Sequence, residues 1–195
     1  LHAGAVLGEH AGGQHHDLGG SRDRSGASSC ICRVLLPQPT TSALMGPLIV
    51  LRRAKASDAE FAYRVLEQSM KTYAIEAFGE WKEHEARARQ RHDAEHEDAM
   101  VIEADGLAVG WLKVDLHPTH HQLEQLFLLP SHQGKGTGSE VLQTVMDQAR
   151  RAGLPVRLRV LRVNPARHFY ERHGFRVTAE TPERYLMEFG LQEPN

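Results

Sequence analysis

Leu126-Phe127-Leu128-Leu129-Pro130-Ser131-His132-Gln133-Gly134-Lys135-Gly136-Thr137-Gly138 runs from an apolar segment into a glycine-rich turn. The apolar run, closed by Pro130, predicts a buried strand over Leu123–Leu129. Downstream, Val141, Leu142, Val145, Met146 and Ala149 recur at helical spacing, which predicts a helix from about Gly136 to Ala152, stopped by Gly153. A strand, a glycine turn and a helix in that order suit an anion, a phosphate above all. Glycines let a ligand approach the backbone, and the first N–H groups of the helix face it with the positive end of the dipole. The loop is not a Walker A motif, because Gly136 rather than Ser or Thr follows Lys135. Nor is it the dinucleotide fingerprint G-x-G-x-x-G, whose third glycine is replaced by Val141.

Toward the C-terminus, Val156–Val163 reads as a strand whose alternation slips between Val160 and Leu161, which predicts a bulge there. Asn164-Pro165 caps and opens a short helix that Gly174 ends. Phe175–Thr181 and Arg184–Phe189 form a closing hairpin. Toward the N-terminus, Leu48–Leu51 is a first strand, and Ser57-Asp58-Ala59-Glu60 reads as a capping box in which Glu60 reaches back to Ser57. Phe61, Ala62, Val65, Leu66 and Met70 stripe the helix that follows, and Gly79 is its predicted stop. Trp81–His96 is charged almost throughout and poor in large apolar residues, as a surface helix would be. Ala99–Ala104, the Asp105-Gly106 turn and Leu107–Leu116 read as a hairpin, with His117–His121 as a loop beyond it. The order is β, α, α, then three strands, then α, β, α, β, β, which implies a mixed α/β or α+β sheet with helices on both faces.

Composition bounds the rest. The 195 residues fit one domain plus an extension, and a formal charge of −2 provides no general attraction to nucleic acid or anionic lipid. No apolar run is long enough to span a membrane. Residues 1–44 are glycine-rich and aperiodic and read as a disordered N-terminal extension, leaving residues 45–195 as the domain. Both cysteines, Cys30 and Cys32, fall in that extension, which suits either a reducing, cytoplasmic setting or a stretch outside the fold. Cys30-x-Cys32 with His15 and His16 lacks the spacing of a zinc module, and His92 and His96, four apart, have no third ligand nearby, so no metal is expected.

Gln133-x-x-Gly136-x-Gly138, preceded by Leu128-Leu129-Pro130 and followed by Asn164-Pro165-Ala166-Arg167-His168-Phe169-Tyr170-Glu171-Arg172-His173-Gly174-Phe175, closely resembles the GNAT superfamily of acetyl-CoA-dependent N-acetyltransferases. The element order resembles the family over residues 48–189, and the motifs are specific over Leu123–Phe175. The resemblance implies a central mixed, mostly antiparallel sheet of six to seven strands flanked by helices. It implies acetyl-CoA as cosubstrate, its pyrophosphate held by backbone N–H groups of Gly134, Lys135, Gly136, Thr137, Gly138 and Ser139, with Gln133 in the signature. The main chain of Leu126, Phe127 and Leu128 would pair with the pantetheine arm where the fourth and fifth strands part, and the Leu128 N–H would polarise the thioester carbonyl. Asn164 would contact the arm, and Tyr170 would protonate the departing thiolate. Two readings of each stand together: Asn164 also serves as a plain N-cap, and Tyr170 also serves as a core aromatic beside Ala166 and His173. A phenol pKa of about 10 lies within about two units of a thiol's 8.5, close enough for the proton to pass to the sulfur as it departs.

For the acceptor, the resemblance points to the first two helices, their loop and the last hairpin: Tyr73, Glu76, Phe78, Glu80 and Trp81, with Tyr185 opposite. An aromatic and acidic mixture suits a cationic amine, a small molecule or a peptide; core filling by Tyr73, Phe78 and Trp81 is the competing reading. The amine needs a base, since an alkylammonium of pKa about 10 leaves roughly one molecule in a thousand free at neutral pH. Glu124 is the candidate, placed by period 2 on the same sheet face as Leu128 and about 13 Å away; Glu76 is its rival. A non-catalytic acyl-CoA sensor is the alternative to an enzyme. An RNA-borne acceptor would need a basic face, for which Arg150, Arg151, Arg157, Arg159 and Arg162 are locally dense but the overall balance is acidic. No nucleic acid or membrane partner is expected, and a homodimer is compatible with the family.

Overall fold

The computed structural model describes residues 46–190. The extension, its cysteines and the boundary at Met45 lie outside these residues.

Seven strands form one sheet: β1 (Ile49–Arg53), β2 (Ala99–Ala104), β3 (Leu107–His117), β4 (His120–Leu128), β5 (Val156–Leu161), β6 (Arg176–Glu180) and β7 (Arg184–Phe189). The spatial order is β1-β2-β3-β4-β5-β7-β6. All neighbours are antiparallel except β4 and β5, which are parallel. Their crossover is helix α3 (Thr137–Ala152), as a parallel pair requires. Helices α1 (Ala59–Phe78) and α2 (Glu83–Ala94) precede β2, and α4 (Ala166–Arg172) joins β5 to β6.

Strand alternation divides the core into two layers. Leu126 and Leu128 join Val141, Leu142, Val145 and Met146 of α3 and Phe169 and Tyr170 of α4. Phe127 and Trp111 join Tyr63, Val65, Leu66 and Met70 of α1 and Ala86 and Ala94 of α2. The mixed sheet with helices on both faces, expected from the sequence, is the architecture found.

Three local readings need correction. The start of α1 carries no Ser57 cap: a short 3₁₀ turn, Ala56–Asp58, precedes it. There Asp58 accepts the Lys55 N–H at 2.9 Å and binds the Arg52 guanidinium, which holds its carboxyl below the usual range. The charged partner on β1 outcompetes a local serine cap. Second, His117–His121 is not a loop: His117 ends β3, His120 and His121 begin β4, and Pro118-Thr119 alone makes the turn. The His117 and His120 rings stack at 4.6 Å across the register. Third, α2 is not wholly a solvated helix, because Gln90 and Asp93 are buried.

Candidate active site

The site begins where β4 and β5 part. They pair only at His121 with Val156, Gln122 with Arg157 and Leu123 with Leu158. Beyond Leu123, β4 keeps β3 on one edge and has no strand on the other among the described residues. The Leu129 N–H donates to Val109 O at 2.9 Å. Antiparallel alternation therefore turns the main-chain groups of Leu126 and Leu128 away from β3, toward the gap. The predicted bulge at Val160 is absent, since β5 runs in continuous register with β7 from Val156 to Leu161. The irregularity lies in β4, where Gln125 faces Lys113 and Leu123 faces Val114, leaving Glu124 as the extra residue.

The glycine turn follows β4 directly. Gly134 and Gly136 have φ of +72° and +91°, conformations that strain any residue with a Cβ. The N–H groups of Ser139 and Glu140 both close on Gly136 O, at 2.9 and 3.1 Å. Ser139 thus donates within the helix, and the first-turn donors left for a ligand are those of Thr137 and Gly138. A Cβ on Gly138 would lie 3.5 Å from Leu128 Cδ1 and 3.7 Å from Phe169 Cζ, so this glycine packs the turn onto the strand end and α4. A cavity of ≈ 170 Å³ opens on the turn, lined by Leu128, Gln133, Gly136, Ser139, Arg172 and His173 among others, with no acidic residue. Arg172 and Lys135 are exposed and have no ion-pair partner among the described residues. The Gln133 side chain turns inward instead, its Nε2 donating to Leu128 O at 2.7 Å.

Asn164 precedes helix α4, which carries Tyr170; neither residue lines that cavity. Asn164 Oδ1 accepts the Ala166 N–H at 2.9 Å, an N-cap contact, while its Nδ2 donates to Met70 Sδ of α1 at 3.6 Å. Tyr170 is 0% exposed, and its hydroxyl has no hydrogen-bond partner among the described residues. Burial pushes the phenol well above its ordinary pKa. Its ring packs edge-on against Phe169 and Phe175, so it is a core residue as well. A buried hydroxyl without a partner is costly, and a purely structural site would favour phenylalanine.

Glu124 departs from the expected geometry. The bulge reverses strand parity, so Glu124 does not share a face with Leu128. It turns toward α2 and is 7% exposed. Arg159 Nη2 donates to both of its carboxylate oxygens, at 2.9 and 3.2 Å, and Arg89 of α2 lies 3.6 Å away. Beside it, Asp93 accepts from Lys113 Nζ at 2.8 Å and Gln125 Nε2 at 2.9 Å, and Gln125 in turn accepts from Gln90. No spacing in the sequence signals this network, since its members come from α2, β3, β4 and β5.

The acceptor candidates are only partly assembled. Tyr73 and Trp81 are half-buried against the α1–α2 layer, and burial with Glu76 nearby raises the Tyr73 phenol. Glu76 and Glu80 are exposed. Phe78 is also exposed, beneath the Arg184 guanidinium at 5.6 Å. Tyr185 does not face them: it packs on the α3–α4 layer between the guanidiniums of Arg162 and Arg167, at 4.7 and 4.3 Å. Four of the five locally dense arginines are paired with carboxylates: Arg150 with Asp147, Arg157 with Glu188, Arg159 with Glu124 and Arg162 with Glu180. His92 and His96 face each other, Nε2 to Nε2, at 3.1 Å, without a third ligand among the described residues. No helix among the described residues is long and apolar enough to cross a membrane.

Comparison with known proteins agrees with this architecture. The crystal structure of PaiA N-acetyltransferase from Thermoplasma acidophilum, in complex with coenzyme A, is similar at 22% identity and TM-score 0.60, covering 74% of this chain and 99% of that one. An acetyltransferase from Thermus thermophilus is similar at 22% identity and TM-score 0.62, covering 75% and 100%. The ribosomal-protein-S18-alanine N-acetyltransferase from Escherichia coli is similar at 17% identity and TM-score 0.57, covering 76% and 98%. These likenesses carry the fold. A model of the acetyltransferase (GNAT) family matches residues 64–175, from α1 through the strand-turn-helix site to the end of α4, and by that match the chain belongs to the GNAT family and is an acyltransferase.

Proposed function

We propose that the chain transfers an acetyl group from acetyl-CoA to a primary amine by direct attack in a ternary complex. The observation that carries this reading is the unpaired edge of β4 running into the donor turn of α3. An extended pantetheine arm fits beside Leu126, Phe127 and Leu128 as a further strand. Its pyrophosphate fits the Thr137 and Gly138 N–H groups, with Gly134, Gly136 and Ser139 shaping the turn and Lys135 and Arg172 adding charge. The Leu128 N–H polarises the thioester carbonyl as charge develops on its oxygen. The amine nitrogen attacks that carbon, the C–S bond breaks, and Tyr170 donates its proton to the departing sulfur. Burial keeps Tyr170 protonated in the resting protein, and the proton that the nitrogen sheds as it becomes an amide returns the tyrosinate to its neutral form. Glu124 takes the ammonium proton through water, with exposed Glu76 as the rival base.

The acceptor is a small-molecule or peptide amine, received near Tyr73, Glu76 and Trp81. Release of free thiol from acetyl-CoA across a panel of polyamines, amino acids and peptide N-termini tests the reading. Turnover with any of them supports it. Tight acetyl-CoA binding with no turnover across the panel would instead indicate a non-catalytic sensor, which keeps the turn and the open strand edge but has no need of Tyr170.

A further inference from the structure

The last peptide of β4 is held from three sides. Ser69 Oγ of α1, a buried hydroxyl, donates to Leu128 O at 3.0 Å. Gln133 Nε2 donates to the same oxygen at 2.7 Å. The nitrogen end of that peptide, the Leu129 N–H, donates to Val109 O at 2.9 Å. Opposite, β3 comes so close that a Cβ on Gly110 would stand 2.5 Å from both Leu128 Cδ2 and Phe127 O.

Within an extended strand, the N–H and C=O of one residue point to the same edge. Anchoring the Leu128 carbonyl therefore also sets the direction of the Leu128 N–H, which faces the gap between β4 and β5. A single donor stabilises developing charge only when it is held in place before the reaction. The next residue of α1, Met70, receives the Asn164 amide at 3.6 Å, so the helix touches both sides of the transfer site.

We infer that Ser69 is a positioning residue for acyl transfer, fixing the Leu128 N–H on the thioester carbonyl through the extended backbone of Leu128. This rests on the proposed acetyl transfer. Gln133 already serves the same oxygen, but it belongs to the turn that carries the phosphate donors. Ser69 belongs to the acceptor-side helix, and its loss leaves the turn intact.

The test uses the full chain with acetyl-CoA ¹³C-labelled at the carbonyl. Infrared difference spectra of wild type, Ser69→Ala and Ser69→Thr read the polarisation of the bound carbonyl directly, and calorimetry with CoA reads affinity for the non-acyl part. In wild type the carbonyl stretch is expected to shift to lower frequency on binding. Ser69→Ala should lose part of that shift and about tenfold in kcat on any accepted amine, with CoA affinity unchanged. Ser69→Thr, which keeps the hydroxyl, should restore most of both. A Ser69→Ala carbonyl frequency and kcat equal to wild type overturn the inference alone. So does a parallel loss of CoA affinity and kcat that Ser69→Thr does not repair, which would mark Ser69 as merely structural. Failure of the wild-type chain to bind acetyl-CoA overturns both this inference and the function it rests on.

Discussion

Tyr170 and Glu124 carry opposite proton transfers in the proposed reaction, and their surroundings differ accordingly. Tyr170 sits in an apolar layer with an unpartnered hydroxyl, and Glu124 is held by Arg159 with Arg89 close by. Tyr170→Phe is expected to lower kcat by about 10²-fold, within the usual range for one acid–base group, with CoA affinity kept and no recovery at alkaline pH. Glu124→Gln should lower the rate at neutral pH and recover part of it at alkaline pH, where free amine is already abundant. A pH–rate profile for Glu124→Gln that overlays wild type would remove Glu124 and turn attention to Glu76. Both residues were identifiable as candidates from motif and spacing. The face that Glu124 takes was not, because a single extra residue in β4 reverses strand parity and period-2 counting assumes none.

At the scale of elements, the turn between β4 and α3 rests on glycine conformation. Gly136 has φ +91° and open space where a Cβ would stand. Gly136→Glu therefore brings both backbone strain and a carboxylate to the phosphate donors. CoA affinity should fall below calorimetric detection while the far-ultraviolet circular dichroism stays that of the wild type. Unchanged affinity would refute the phosphate assignment. The start of β4 supplies a pH dependence of stability. Burial depresses the pKa of His121 and, together with Arg157, that of His120. A depressed folded-state value means the unfolded chain takes the proton first. Stability contributed by the neutral rings is therefore fully present above the unfolded pKa of about 6.5 and declines as pH falls through it toward the folded value. Denaturant midpoints measured from pH 7.5 down to 5 should show this decline, and His121→Leu should flatten it. Asp58 and Glu67, held low by Arg52 and Lys71, act in a separate window, below the ordinary carboxylate pKa near 4.

At the scale of the whole molecule, two apolar layers clamp one sheet, and the candidate site lies where the sheet splits between its fourth and fifth strands. Residues 1–44 have no periodic apolar face with which to dock on either layer. A chain beginning at Met45 is expected to keep its turnover and its melting temperature within about 2 °C, a shift smaller than ~1 kcal/mol causes in a domain of this size. A larger loss of either would show that the extension packs on the domain.

Sequence alone determined the element order, both long helices flanking the sheet, and the strand-turn-helix proposed to receive an anion. Each of these depends on local chemistry: the 3.6-residue stripe of α3, the glycines that only a left-handed turn requires, and the Asp105-Gly106 hairpin. The Gly136, Asn164 and Tyr170 positions were readable for the same reason, as residue types at fixed offsets. Tertiary structure alone decided which groups meet across the chain. Ser69 reaches Leu128 from 59 residues away and Arg159 reaches Glu124 from 35, and neither pairing leaves a trace in spacing. Gly110 left a partial trace, since a lone glycine inside a strand pattern signals close backbone approach, but not which strand approaches. Tyr185 was expected opposite Tyr73 and lies instead between Arg162 and Arg167, because strand parity on β7 turns it to the α4 side. Local periodicity determines which face of an element is apolar, but which partner covers that face depends on strand order and on one-residue shifts of register, which emerge only when the whole sheet assembles.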